Sequence, residues 1–185
     1  MRIVAGKFKA INLYTFDYEN VRPTPDKIRE AVFSKYQFDI MGSSWLDLFG
    51  GTGAVGLEAL SRGASKVVVC DDNKDSIALI NKNYTKCKVK PNLIKTNFIK
   101  ALKSLADFNQ KFDFIYLDPP FNTTLGEKAI KLIANYNLLN DDGIVIFEHL
   151  KGKDISSASE YMENFENKTY GTIEVSFYKL RKEDV

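Results

Sequence analysis

The stretch "SWLDLFGGTGAVGLEALSRG", Ser44 to Gly63, changes its pattern in the middle. Ser44 to Phe49 is a short, largely apolar run of strand-prone character. Gly50, Gly51 and Gly53 follow. Glycine lets a backbone turn sharply and approach a ligand without a side-chain clash. From Gly53 onward the chain reads as a helix, closed by Gly63. Strand, glycine loop and helix form the opening unit of an open α/β sheet, which binds ligands at the carboxyl ends of its strands.

The same alternation continues downstream. "SKVVVC" is the second strand, and Asp75 to Lys86 is a helix with Ile77, Ile80 and Tyr84 at helical spacing. "NLIKT" is a short third strand, and a helix follows around Ile99 to Leu105. "FDFIYL" is the fourth strand, Gly126 to Ala134 a helix and "GIVIFEH" the fifth strand. The tail "NFENKTYGTIEVSFYKL" reads as two strands turning at Gly171. Such alternation predicts a parallel sheet with helices on both faces. The final hairpin adds an antiparallel edge.

The segment before this sheet differs. "RIVAGKFKAINL" carries Arg2, Lys7 and Lys9 among β-formers with a turn at Gly6, so residues 1–22 read as a small hairpin or arm. A helix follows, with Thr24 as its cap, Pro25 at the first helical position and Asp26 at the positive end of the dipole. Ile28, Val32 and Tyr36 give it an apolar stripe.

A length of 185 residues suits one domain with one core, residues 1–185. The net charge of +2 permits nucleic acid as a partner without demanding it. The two cysteines, Cys70 and Cys87, make neither a disulfide framework nor a metal-ligand spacing. The N-terminus has no apolar leader core, and no apolar run is long enough to span a bilayer. The expectation is a soluble, cytoplasmic protein.

The fourth strand ends unusually. Asp118 follows directly on the apolar run, then Pro119, Pro120 and Phe121. The prolines have fixed φ and no N–H, so they hold the turn open and leave nearby carbonyls able to accept bonds. A carboxylate, free carbonyls and a flat aromatic face fit an exocyclic amine on a planar base. The base stacks on Phe121, a contact worth about 1–3 kcal/mol. In a doubly wound sheet the fourth strand ends beside the first, which sets Asp118 next to whatever the glycine loop holds.

Gly51-x-Gly53-x-x-Gly56 satisfies the dinucleotide fingerprint, with Asp71 twenty residues beyond Gly51. A purely structural turn is the plain alternative. A nicotinamide dinucleotide keeps its pyrophosphate over the helix N-terminus. Asp47, four residues before Gly51, would repel it. A carboxylate there suits a ligand that brings an ammonium and a sulfonium, as S-adenosylmethionine does. A nicotinamide-dependent oxidoreductase is the runner-up, and it gives Asp47 and the "DPPF" elbow no role.

"DLFGGTG", "LDPPF" and the leading "RIVAGKFKAINL … RPTPDKIREAVF" together resemble the bacterial RsmD-type methyltransferases, over essentially the whole chain. The leading block separates this family from adenine DNA methyltransferases, whose adenine-N6 chemistry is the nearest enzyme alternative. The resemblance implies an α/β class I methyltransferase fold. Its sheet is Rossmann-like, seven-stranded and mostly parallel, with an antiparallel edge strand and a small N-terminal β-hairpin arm and helix in front. It implies methyl transfer from S-adenosylmethionine to N2 of a guanine in small-subunit ribosomal RNA, free or in an assembling small subunit, without a metal. By position, Asp47, Phe49, Gly51 and Gly53 hold the cofactor's amino-acid end, and Asn97 sits at its adenine edge. Asp118, Pro119, Pro120 and Phe121 hold the guanine. The family ends its second strand with a ribose-binding Glu in a Glu-x-Asp arrangement; here Cys70 stands in that place, which leaves Asp71 or Asp72 for the ribose. The basic residues Arg2, Lys7, Lys9, Arg22 and Arg29 are the expected RNA contacts. His149, at the end of the fifth strand, reads as a satisfied core histidine.

Overall fold

The computed structural model describes residues 1–16 and 26–181. The chain divides into two compact units, Met1–Asn97 and Phe98–Val185.

The first unit holds α1 (Asp26–Lys35), β1 (Ser44–Asp47), α2 (Ala54–Ser61), β2 (Lys66–Cys70), α3 (Lys74–Lys86) and β3 (Leu93–Ile94). β1 pairs in parallel with β2, and β2 with β3. The apolar strand runs drive this: Trp45, Leu46, Val67, Val68 and Val69 are all buried. α2 is buried on nearly every side, as a helix of such apolar composition must be. Asn73 caps α3 by accepting from the N–H groups of Asp75 and Ser76. In α1 the stripe of Ile28 and Val32 is buried, and Tyr36 beyond its end is buried with it. The expected capping residues Thr24 and Pro25 lie outside the described residues.

The second unit holds α4 (Phe98–Asp107), β4 (Phe112–Leu117), α5 (Leu125–Asn135), β5 (Leu139–Leu150), a short 3₁₀ turn (Ser156–Glu160), β6 (Glu163–Tyr170) and β7 (Ile173–Lys179). β4 and β5 are parallel, while β7 runs antiparallel to both β5 and β6. β5 starts four residues earlier than its apolar run suggests. Its register against β4 shifts between Phe112 and Phe114, and Asn140 donates to Asp113 across the irregular entry at 2.7 Å. The strands follow the order β3-β2-β1-β4-β5-β7-β6 in a seven-stranded, mostly parallel sheet, as the alternation predicts.

The N-terminal arm folds back on itself as the sequence predicts. Ile3 N donates to the Ile11 carbonyl, Ala10 N to the Ile3 carbonyl and Leu13 N to the Met1 carbonyl, at 3.1, 2.9 and 3.0 Å, around an antiparallel bridge between Arg2 and Asn12. The donors of its bend go elsewhere. Val4 N and Ala5 N donate to the Glu58 carboxylate at 2.9 and 3.1 Å. Lys7 N donates to the Ser61 carbonyl and Phe8 N to the Ser61 hydroxyl, both at 2.9 Å. These bonds hold the bend of the hairpin onto α2. Gly6 makes this approach possible: its φ is +80°, and a Cβ there would sit 1.9 Å from the Ser61 carbonyl oxygen.

Arg29 is corrected by the same contacts. It is fully buried, its guanidinium donates to the Arg2 carbonyl and to Asp26, and its Nε lies 3.5 Å from Glu58. It anchors the arm and offers no surface to RNA. Arg2, Lys7 and Lys9 are exposed, and Arg22 lies outside the described residues.

Glu58 is thus a buried carboxylate held by two backbone N–H groups, Arg29 and Arg62. Removing one member of a buried charged set leaves the others uncompensated, at a cost of about 3–5 kcal/mol. Glu58→Ala is expected to lose that much stability in urea unfolding and to expose the arm to proteolysis. A loss below about 1 kcal/mol with a protected arm would contradict this role.

Candidate active site

The carboxyl ends of β1, β2 and β3 lie on adjacent parallel strands, and each carries an expected cofactor residue. At the end of β1, Asp47 is buried and its Oδ2 accepts from the Gly56 N–H at 3.2 Å. That N–H belongs to the first turn of α2, where the helix dipole favours an anion. The glycine loop is spanned between these fixed points. Gly51 has φ +53°, and a Cβ placed there meets nothing nearer than 4.0 Å, so the loop's outer surface is open at this residue. Gly53 caps α2 in the left-handed region at φ +77°. Phe49 is half-buried beside them.

At the end of β2 the side chains divide their roles. Cys70 is buried, and its thiol donates to the Thr96 carbonyl at 3.2 Å. Burial first, then the charges of Asp71, Asp72 and Asp47, push this thiol up to about 12. Asp71 is half-buried and turns back onto the loop: one oxygen accepts from Gly51 N and the other from Asn73 N, both at 2.9 Å. Burial raises its carboxyl above the usual range, and these two backbone bonds work against that shift. Asp72 is exposed. Of the two acids left open for the ribose, Asp71 is therefore the one in contact with the glycine loop. Asn97 is half-buried, three residues beyond β3.

Sequence reading missed Asn83. This buried side chain on α3 accepts from Tyr14 N and donates to the Tyr14 and Thr52 carbonyls, at 2.8, 3.0 and 2.9 Å. It ties the arm to the glycine loop. Only its place among helical polar residues marks it in the sequence, and that carries no signal.

In the second unit, β4 delivers Asp118 half-buried, Pro119 buried, Pro120 exposed and Phe121 half-buried. The turn is more constrained than its prolines suggest. Thr123 donates its hydroxyl to the Pro120 carbonyl at 2.6 Å. Lys153 donates to the Thr123 carbonyl at 2.6 Å and is neutralised by the Glu127 carboxylate at 2.9 Å. Neither Thr123 nor Lys153 carries a motif. Together residues 121–124 and 150–153 enclose an open cleft of about 390 Å³ beyond the carboxyl ends of β4 and β5. Glu148 is fully buried and accepts from the Tyr116 hydroxyl. His149 is buried with both ring nitrogens bonded, to the Leu150 carbonyl and the Ser176 hydroxyl. It is the satisfied histidine that its strand-end position suggests. Among the described residues no cluster of side chains suited to a metal ion is present, and no helix is long and apolar enough to cross a membrane.

The family model described as "Conserved hypothetical protein 95" matches residues 1–179. The Haemophilus influenzae protein named ribosomal RNA small subunit methyltransferase D is 31% identical over 182 residues, covering 97% of this chain and 93% of its own. The Escherichia coli K12 protein of the same name is 30% identical over 149 residues, covering 80% of this chain and 74% of its own. Among solved structures, the Thermus thermophilus 16S rRNA N2 G1207 methyltransferase, in complex with AdoMet and guanosine, superposes with a TM-score of 0.75 at 21% identity. That match covers 90% of this chain and 45% of the other.

The thiols give a direct check on the end of β2. Burial raises both Cys70 and Cys87. Neither is expected to react appreciably with iodoacetamide in the folded protein at about pH 8, and both should react once it is unfolded in guanidinium. Rapid labelling of Cys70 in the native state would mean that its side chain does not face Thr96.

Proposed function

The chain belongs to the conserved hypothetical protein 95 family, and from that membership and the two groups of strand-end residues we propose that it methylates N2 of a guanine in small-subunit ribosomal RNA, in the cytoplasm, using S-adenosylmethionine. The observation that carries this reading is the exit of β4: a half-buried carboxylate, two prolines and a half-exposed ring bordering an open cleft. Small-subunit RNA as substrate is supported by the names of relatives about 30% identical. The guanine is supported by the chemistry of the elbow and by the guanosine held in the complex of a protein of the same fold.

The glycine loop fits the cofactor. Its open surface at Gly51 admits a close ligand, and Asp71 offers a carboxylate beside it for ribose hydroxyls. Asp47, Phe49, Gly51 and Gly53 would hold the amino-acid end and Asn97 the adenine edge. When bound, S-adenosylmethionine supplies an electrophilic methyl on a sulfonium.

The guanine amine is a weak nucleophile because its lone pair is delocalised into the ring. Asp118 accepts an amine N–H and so turns the lone pair out of conjugation. It also stabilises positive charge as it develops on the nitrogen, the electrostatic contribution that usually dominates such sites. Pro119 and Pro120 keep the elbow from closing into a helix. Phe121 gives the base a face to stack on. Thr123 and Lys153 hold that loop in one conformation, so little ordering remains when the base arrives. A duplex would have to release the guanine from its stack, which favours a loop or an unpaired base.

The test is transfer of labelled methyl to small-subunit RNA from cells lacking the enzyme, followed by nucleoside analysis. Label in N2-methylguanosine is expected; label in another nucleoside would overturn the guanine assignment. Asp118→Ala should cut turnover by on the order of 10²-fold or more while the cofactor still binds. Asp47→Ala should weaken the cofactor first, because it releases both a ligand contact and the Gly56 anchor. Equal loss of cofactor binding in both variants would refute this division of roles.

A further inference from the structure

Between Ser76 and Ala106 the chain carries seven lysines and no aspartate or glutamate, in a protein whose net charge is only +2. Five of them belong to the first compact unit: Lys82, Lys86, Lys88, Lys90 and Lys95. All five are exposed. Among the described residues, no carboxylate forms an ion pair with any of them.

Two are held together. Lys82 and Lys86 are one turn apart on α3, and their ammonium groups lie 3.8 and 4.5 Å from the centroid of the Tyr14 ring. Like charges at this spacing repel. The ring's quadrupole offsets part of that cost, by about 0.5–1 kcal/mol per exposed cation. Tyr14 is itself fixed, because Asn83 binds both its N–H and its carbonyl from a fully buried position. The result is a pair of cations gathered over one ring on an anchored backbone, with no acid among the described residues paired to them. A phosphate diester supplies the missing charge. An isolated carboxylate partner would serve one pair, whereas Lys88 and Lys90 continue the positive charge along the chain as a polyanion requires.

We propose that Tyr14, Lys82 and Lys86, continued by Lys88 and Lys90, form a docking face for the phosphate backbone of the substrate RNA. This rests on the reading of the protein as an RNA methyltransferase. It moves the main footprint from the arm's own charges to the junction of arm and α3. The ring's part is to gather the cations.

The experiment measures affinity for a small-subunit RNA fragment across a salt series, alongside methyl transfer to it. The variants are Lys82→Gln/Lys86→Gln and Arg2→Gln/Lys7→Gln/Lys9→Gln. The α3 pair is expected to lower the slope of log affinity against log salt by about 1.4–1.8, since each phosphate contact contributes about 0.7–0.9. Cofactor affinity and thermal midpoint should be unchanged. The arm variant should change the slope less. Lys82→Glu/Lys86→Glu should weaken binding further. An unchanged slope in a folded Gln pair would overturn the face, even if the wild type methylates guanine normally. A reduced slope with no guanine methylation by the wild type would keep the face and sink the guanine reading. Equal loss toward duplex DNA or an acidic polypeptide would overturn the assignment to RNA.

Discussion

A carboxylate taken out of water must be met by donors, and two such carboxylates organise the N-terminal unit. Asp47 ends β1, and Glu58 stands in the middle of α2. Asp47 takes the Gly56 N–H and so fixes the first turn of α2 to the strand that precedes it. Glu58 gathers Val4, Ala5, Arg29 and Arg62, which draws the arm and α1 onto the same helix. The glycine loop runs between these two fixed regions. Its conformation is therefore set by protein groups before any ligand arrives, which lowers the ordering cost of binding. Asp71 and Asn83 complete the restraint, one on Gly51 N and one on the Thr52 carbonyl.

This explains what could be read from the sequence and what could not. The strand, loop and helix from Ser44 to Gly63 were legible because apolar runs, glycine and helical spacing are local signals. The elbow at Asp118 was legible because two prolines after an apolar run leave few alternatives. The hairpin of the arm was legible, but its docking onto α2 was not, because Val4, Ala5 and Phe8 give their N–H groups to partners 53 and 54 residues away. Arg29 was misread as a surface charge for the same reason: its carboxylate partner, Glu58, is on another helix. Asn83 and Lys153 left no trace, since each acts through bonds to remote backbone, and the local bond of Thr123 to Pro120 carries no motif. Periodicity reports which face of an element is buried. It does not report which buried polar atom will need which partner.

The second unit solves the opposite problem. Two consecutive prolines remove two backbone donors at the exit of β4, so the following loop cannot hold itself by a regular ladder. Side chains replace what the backbone lacks. The Thr123 hydroxyl closes onto Pro120, and Lys153 closes onto Thr123 from the segment after β5. Lys153 tolerates this position because Glu127, buried at the start of α5, neutralises it. The charge pair matters here as a fixture. Its net contribution to stability is modest for a partly buried pair, but it sets where Phe121 and the cleft lie relative to β5.

The distribution of charge carries the last step. With seven positives concentrated between Ser76 and Ala106, the rest of a chain of net charge +2 is negative by five. A uniform charge of +2 would attract a polyanion weakly and from every direction. Charge gathered on one unit, as at Lys82, Lys86, Lys88, Lys90 and Lys95, attracts it to that unit's surface, which selects orientation as well as affinity. Under the proposed function, orientation is what the protein needs from a long substrate, since a base would enter the elbow only from a backbone that lies in the right direction. The Tyr14 ring serves this end by holding two of those cations where the arm, α3 and, through Asn83, the glycine loop meet. The contact that gathers charge and the contact that shapes the loop thus share one buried asparagine.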